Sequence, residues 1–267
     1  MRPEIGHQPG TALELLYQPA AIPRHDAPPI LLVHGSWHAA WCWENWMPAL
    51  AQRGFEVYAL SLRGHGGSAG DYRRAETADY LDDVQQAIRQ IGRQPLLIGH
   101  SFGGWLVQHL LAGERFPAAC LLASVPPRYP LWVVLRNFIR NPLTMLGAFL
   151  SGDLIGFTRS NTLVREFFSA RTPEAKVDAC RKRLTGASMR LFIEMMLRKP
   201  PAPLPGTPTL VIAGECDGNF TPAMQQRLAS RMGATMRVLP GSGHDIPLDV
   251  AWQEGIELVA EWLESAS

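Results

Sequence analysis

Lysine is scarce in this chain: Lys176, Lys182 and Lys199 are the only three, and all fall in one middle stretch. The net charge is +1, and the sequence pI is near 7.8. No global basicity therefore points to a nucleic-acid partner. No apolar run approaches the roughly 20 residues that a membrane-crossing helix needs. The opening MRPEIGHQPG carries no apolar signal core. The simpler expectation is a cytoplasmic chain with no integral membrane segment. Cys42, Cys120, Cys180 and Cys216 are scattered without C-x-x-C spacing. That spacing argues against a structural zinc site and for reduced, mostly buried thiols. There is no internal repeat and no low-complexity segment.

What is present is core-forming material. Hydrophobic residues make up 46% and charged residues 18% of 267 positions. That suffices for one large α/β domain or a core with an insertion. Short aliphatic runs alternate with helical patterns. ILLVHG (30–35), EVYALSL (56–62), QPLLIG (94–99), AACLLASV (118–125), TPTLVIAG (207–214) and ATMRVLPG (234–241) read as strands. ALELLYQP (12–19) reads as an N-terminal edge strand. Helices are expected over 43–55, 77–92, 103–114, 221–233 and 249–265. Thr77 or Asp79 would cap the second, and Thr221 followed by Pro222 would open the fourth. Strands separated by helices imply a mainly parallel sheet with helices on both faces.

The alternation stops between about Pro126 and Pro205, where PPRYP and KPPAPLPG mark rigid junctions. Five helical patterns lie inside, over 131–140, 143–150, 163–169, 172–186 and 188–199. An all-helical insertion in an α/β core reads as a cap over a site. The division is then 1–125 for the first part of the core, 126–205 for the cap and 206–267 for the second part. From Arg128 to Lys199 the cap holds thirteen Lys and Arg against five Asp and Glu, a local charge of +8. The favoured reading is a solvated basic face; the alternative is a cationic entrance for an anionic substrate.

One stretch carries chemistry on its face. Gly99-His100-Ser101-Phe102-Gly103 follows a strand, precedes a helix and fits G-x-S-x-G, a turn that displays a serine hydroxyl. The glycines leave room for the bend, and the helix N-terminus favours a developing oxyanion. A serine hydroxyl needs a base, and in this topology the order is serine, then acid, then histidine. Beyond the helix that follows Ser101, only His244 remains, in LPGSGHDIPLD after the last strand. Between them VIAGECDGNFTP offers Asp217 just past a strand end, with Glu215 as the possible substitute. Asp245 is assigned to its own loop. Asp153 and Asp178 lie in the cap, too far from the strand ends. The early loop HGSWHAAWCW turns sharply after a strand, so the backbone N–H groups of Ser36 and Phe102 are assigned to an oxyanion hole, with Trp37 as the alternative to Ser36. Trp37 is also the candidate substrate-binding residue, whereas Trp41, Trp43 and Trp46 are expected in the aromatic core. His34 and His38 are read as loop-packing residues.

Together LLVHGSWHAAWCW, LSLRGHGGS, LIGHSFGG, VIAGECDGNFTP and GSGHDIPLD, in that order, resemble the α/β-hydrolase family with an inserted helical cap. The resemblance covers nearly the whole chain. It implies Ser101, Asp217 and His244 as a catalytic triad and no cofactor or metal. One departure is Ser61, where many members carry Asp; that loop is structural in the family. HGSWHAAWCW also looks like the matching loop of plant hydroxynitrile lyases and methyl esterases. The lyases are expected to hold a lysine near the triad, and here no lysine lies outside the cap. The expected reaction is hydrolysis of a small carboxylic ester with an apolar acyl part of short to medium length. Thioester cleavage, C–C bond hydrolysis and perhydrolysis use the same triad, and a ligand receptor on this scaffold is the reading from another class.

Overall fold

A computed structural model describes residues 6–7 and 13–266. Its eight strands are β1 (Gly6–His7), β2 (Leu15–Gln18), β3 (Ile30–Val33), β4 (Val57–Leu60), β5 (Leu96–His100), β6 (Ala119–Leu122), β7 (Thr209–Gly214) and β8 (Thr235–Leu239). They form one sheet in the order β1-β2-β4-β3-β5-β6-β7-β8. β1 and β2 run antiparallel to their neighbours, and every other pair is parallel. ALELLYQP thus forms the penultimate strand rather than the edge, because Gly6–His7 pairs outside it.

The central strands are buried at every position and mostly aliphatic because both faces of the sheet are covered. Ile30, Leu32, Leu96 and Ile98 pack into a core on one side, with Trp43 and Trp46. Leu31, Val33 and Leu97 pack on the other, with Trp105 and Phe102. Five helices flank the sheet: α1 (Trp46–Gln52), α2 (Thr77–Ile91), α3 (Phe102–Leu110), α10 (Pro222–Met232) and α11 (Trp252–Ala266). A 3-10 turn, Ala40–Trp43, precedes α1 and shortens it relative to the sequence pattern. The start of α2 departs from expectation. Its first N–H groups are held by a reciprocal box between Glu76 and Asp79. Thr77 instead donates to Glu194, from Oγ1 at 2.6 Å.

Between β6 and β7 in the chain stand six helices: α4 (Leu131–Arg140), α5 (Pro142–Ser151), α6 (Ile155–Arg159), α7 (Asn161–Arg165), α8 (Glu174–Arg181) and α9 (Met189–Leu197). α6 has no counterpart among the sequence patterns. Met145, Leu154, Phe157, Leu163 and Met189 give this segment its own apolar cluster. Asp249, after the last strand, ties the segment to the sheet. It accepts from Ser169 N–H and Oγ, Thr172 Oγ1 and Gly243 N–H. Among the described residues, no helix is long and apolar enough to cross a membrane. Cys42, Cys120 and Cys180 are buried, Cys216 is exposed, and all four are free thiols.

Candidate active site

The carboxyl ends of β3, β5, β7 and β8, with β6 between β5 and β7, lie along one edge of the parallel part of the sheet, which is where open α/β sheets place ligands. Each end supplies one loop. Ser101 stands between β5 and α3 with φ 51° and ψ −113°, a left-handed backbone that a residue with a Cβ occupies only when its surroundings enforce it. The surroundings are steric. A Cβ on Gly99 would sit 2.6 Å from the carbonyl carbon of Gly103 and from the nitrogen of Gly104. A Cβ on Gly103 would run into the Val33 carbonyl. The glycines therefore let α3 press against β3 and β5, and the bend at Ser101 follows.

His244 Nε2 lies 3.0 Å from Ser101 Oγ, and His244 Nδ1 lies 2.8 Å from Asp217 Oδ2. A carboxylate can only accept, so Nδ1 carries the proton and Nε2 is free to accept from the serine hydroxyl. The other Asp217 oxygen accepts from the N–H groups of Asn219 (2.8 Å) and Phe220 (2.9 Å). Burial alone would raise the Asp217 carboxyl. The charge of His244, its hydrogen bond and the two N–H donors outweigh that and hold the group below the usual carboxylate range. Glu215 is elsewhere: it accepts from Gly241 N–H and is exposed. Asp153 is bound by Tyr72 and Arg73, and Asp178 by Arg181 and Lys182, so neither reaches His244.

Ser36 and Trp37 line the same cavity as Ser101 and His244. The Phe102 N–H is the first of α3, one of the N–H groups that a helix cannot satisfy internally. Trp37 takes a left-handed backbone, φ 66°, and its ring stacks between Phe157 and Phe167. The cavity has Met145, Leu154, Leu163 and Phe192 in its walls. Trp43 and Trp46 are fully buried in the core, and Trp41 is capped by the Arg183 guanidinium 4.2 Å from its ring centroid.

The pairings of four neighbours escaped the sequence reading. Asp245 does not merely brace its own loop, as its position beside His244 suggests; its Oδ2 lies 3.1 Å from His38 Nε2, across 207 residues. His38 Nδ1 donates to the Ser36 carbonyl at 2.8 Å. Burial would lower the His38 imidazole, but the Asp245 charge and hydrogen bond more than offset it and hold the ring well above its ordinary value. Two donors are what an imidazolium offers. His100 donates from Nε2 to the His244 carbonyl at 3.0 Å, and burial pushes it down to about 3, so it is neutral. Asp249, described above, fixes the N–H of Gly243 next to His244. Pairings this distant in sequence leave no local signal.

Among the described residues, the closest grouping with metal-ligating atoms is His38, Cys180 and Asp245, within 4.8 Å of one another and all buried. The imidazole and carboxylate there already bond each other. That arrangement fits an ion pair, and a cation would have to replace it. Ser61, the departure noted in the sequence, accepts from Ala40 N–H at 2.9 Å and donates to the Glu14 carboxylate. It anchors the loop that follows β3.

A mainly parallel sheet with a serine on a strained strand-to-helix turn, facing a histidine–carboxylate pair, defines the α/β class built around a nucleophile elbow. The chain belongs to the alpha/beta hydrolase family, whose model matches residues 30–261. It is 36% identical over 110 residues to esterase PIR7B of Oryza sativa subsp. japonica, covering 36% of this chain and 38% of that protein. It is 34% identical over 102 residues to a pyrethroid hydrolase of Sphingobium wenxiniae, covering 35% of this chain and 36% of that one. The matches thus span little more than a third of those relatives. The solved enol-lactonase of Burkholderia xenovorans LB400 superimposes with a TM-score of 0.73 at 20% identity, covering 97% of this chain and 100% of that chain, which shows the shared fold.

Proposed function

We propose that the protein is a serine hydrolase of carboxylic esters that works through an acyl-enzyme on Ser101. The observation that carries this reading is the unbroken chain Ser101 Oγ, His244, Asp217, at 3.0 and 2.8 Å. In the first half-reaction the Ser101 oxygen attacks the ester carbonyl while His244 Nε2 takes the hydroxyl proton. Asp217 holds the tautomer and stabilises the imidazolium. The N–H groups of Ser36 and Phe102 receive the negative oxygen. His244 then gives its proton to the leaving alkoxide, and the acyl group remains on Ser101. In the second half, water loses a proton to His244, attacks the acyl carbon and releases the acid. The names of the two relatives, an esterase and a pyrethroid hydrolase, agree with ester chemistry.

Residues 126–205 act as the cap over this site, between core parts 1–125 and 206–267. Trp37, with Leu154 and Phe192 opposite, forms the acyl-binding wall of the cavity. The apolar lining favours an apolar acyl group. The test is a panel of p-nitrophenyl esters of increasing chain length with wild type and Ser101→Ala. Turnover in wild type and loss by about a thousandfold or more in the variant support the mechanism. Retained turnover in the variant sinks it, and wild type inert on every ester points to a receptor.

A further inference from the structure

α4 and α5 are apolar on two sides. Val134, Asn137 and Met145 face the cavity. On the opposite face Leu131, Trp132, Leu135, Phe138 and Ile139 follow one another at helical spacing along α4, and Leu143, Leu146, Phe149 and Leu150 along α5. This face is open: Leu131 is 72%, Ile139 73%, Leu143 82% and Leu150 80% exposed. Phe138 and Phe149 bring their ring centroids to 5.9 Å, which joins the two faces into one patch. Isolated exposed leucines need no explanation, but nine large apolar side chains in one continuous surface mark a binding face.

The neighbouring charge says what binds. Pro130 precedes Leu131 and also lines a cleft with Arg128, Lys199, Arg227 and Arg231. No carboxylate lines that cleft, and among the described residues none of the four cations is ion-paired with one. Arg231 does donate to the Pro200 carbonyl. A second copy on the same face would bring two of these cationic segments, each +8 over 128–199, toward each other. An apolar face beside a cluster of unpaired cations instead complements a bilayer carrying anionic headgroups. Each helix has 10 residues, too short to span, so both would lie in the interface plane.

We propose that the outer face of α4 and α5 docks on anionic phospholipid membranes, with the acyl region taking the apolar side chains and the headgroups meeting Arg128, Lys199, Arg227 and Arg231. Docking would set the wall of the cavity that holds Val134 and Met145 against the lipid surface. It does not depend on the reaction at Ser101, and its test needs no turnover.

The test is co-sedimentation of the full chain with vesicles of phosphatidylcholine alone and of phosphatidylcholine with phosphatidylglycerol. The expected result is binding to the anionic vesicles at least tenfold tighter than to neutral ones, weakened by salt. The triple variant Leu135→Glu, Ile139→Glu, Leu143→Glu should lose at least tenfold in binding while keeping its circular dichroism and its turnover of short soluble esters. Arg128→Glu with Arg227→Glu should remove the preference for anionic vesicles. No binding to either vesicle overturns the proposal. So does a dimer in sedimentation velocity that the triple variant dissociates while vesicles go unbound. Equal, salt-independent binding to both vesicles overturns the assignment to anionic lipid.

Discussion

His38 and Asp245 form a second buried histidine–carboxylate pair, alongside the His244–Asp217 pair and joined to it through the peptide bond between His244 and Asp245. Through its other nitrogen His38 holds the Ser36 carbonyl, so the pair bolts the loop after β3 to the loop that carries His244. Removing one partner from a buried ion pair leaves the other charge uncompensated. Asp245→Asn should therefore lower stability by about 1–3 kcal/mol and reduce kcat by about tenfold, with fluorophosphonate still reaching Ser101. Urea denaturation and steady-state kinetics measure both. A variant with wild-type stability and kcat would mean the pair is incidental.

The same pair sets a pH window. Asp245 is held below its ordinary value, so its contribution is present above the unfolded carboxylate pKa, about 3.9, and is lost as pH falls through the lower folded value. His38 is held above its ordinary value, so its contribution is full below the unfolded imidazole pKa, about 6.5, and is lost as pH rises through the higher folded value. The stability gap between wild type and Asp245→Asn should be widest between about pH 4 and 6.5 and narrow on both sides. Denaturation across that range gives the curve. A gap independent of pH would rule out the ion pair.

His100 makes the opposite demand. Burial lowers it to about 3, so between that value and about 6.5 the unfolded chain binds a proton that the folded chain refuses. Folding stability should fall as pH drops through this range, by up to about 1.4 kcal/mol per pH unit from this residue. His100→Gln, whose side-chain amide can still donate toward the His244 carbonyl, should flatten the slope. An unchanged slope would place the acid sensitivity elsewhere.

The acid can be told from its neighbour by substitution. Asp217→Asn should cut kcat by about a thousandfold or more, because the histidine loses the partner that fixes its tautomer. Glu215→Gln should stay within about twofold of wild type, since the exposed Glu215 carboxylate accepts from Gly241 N–H, away from His244. Equal effects from the two substitutions would overturn the assignment.

Steric demand at the elbow makes a further contrast. Gly103→Ala would drive a methyl group into the Val33 carbonyl and should cost more than about 3 kcal/mol or prevent folding. Gly147→Ala, within α5 and with nothing within 4 Å of the new carbon, should be neutral or stabilising by up to about 1 kcal/mol. Thermal melts of the two variants decide it.

The sheet was legible because its strands are buried on both faces and read as unbroken aliphatic runs. Leu31 and Leu32 serve opposite cores from adjacent positions. The elbow was legible because steric crowding allows few residues besides glycine at positions 99 and 103. The extra helix at Ile155–Arg159 was not, because five residues are too few to show a period. Nor was the His38–Asp245 pair, because its members lie 207 residues apart and each looks like ordinary loop chemistry in its own segment. Thr77 looked like a cap, but a carboxylate from α9 claimed its hydroxyl.

The most direct measurement of the central claim is site-mapped labelling by a fluorophosphonate, followed by mass spectrometry and residual ester turnover on the same sample. One adduct per chain on Ser101, with turnover falling in proportion to labelling and no adduct in His244→Ala, is the predicted result. An adduct on another residue, or full labelling of Ser101 with ester turnover unchanged, would contradict it.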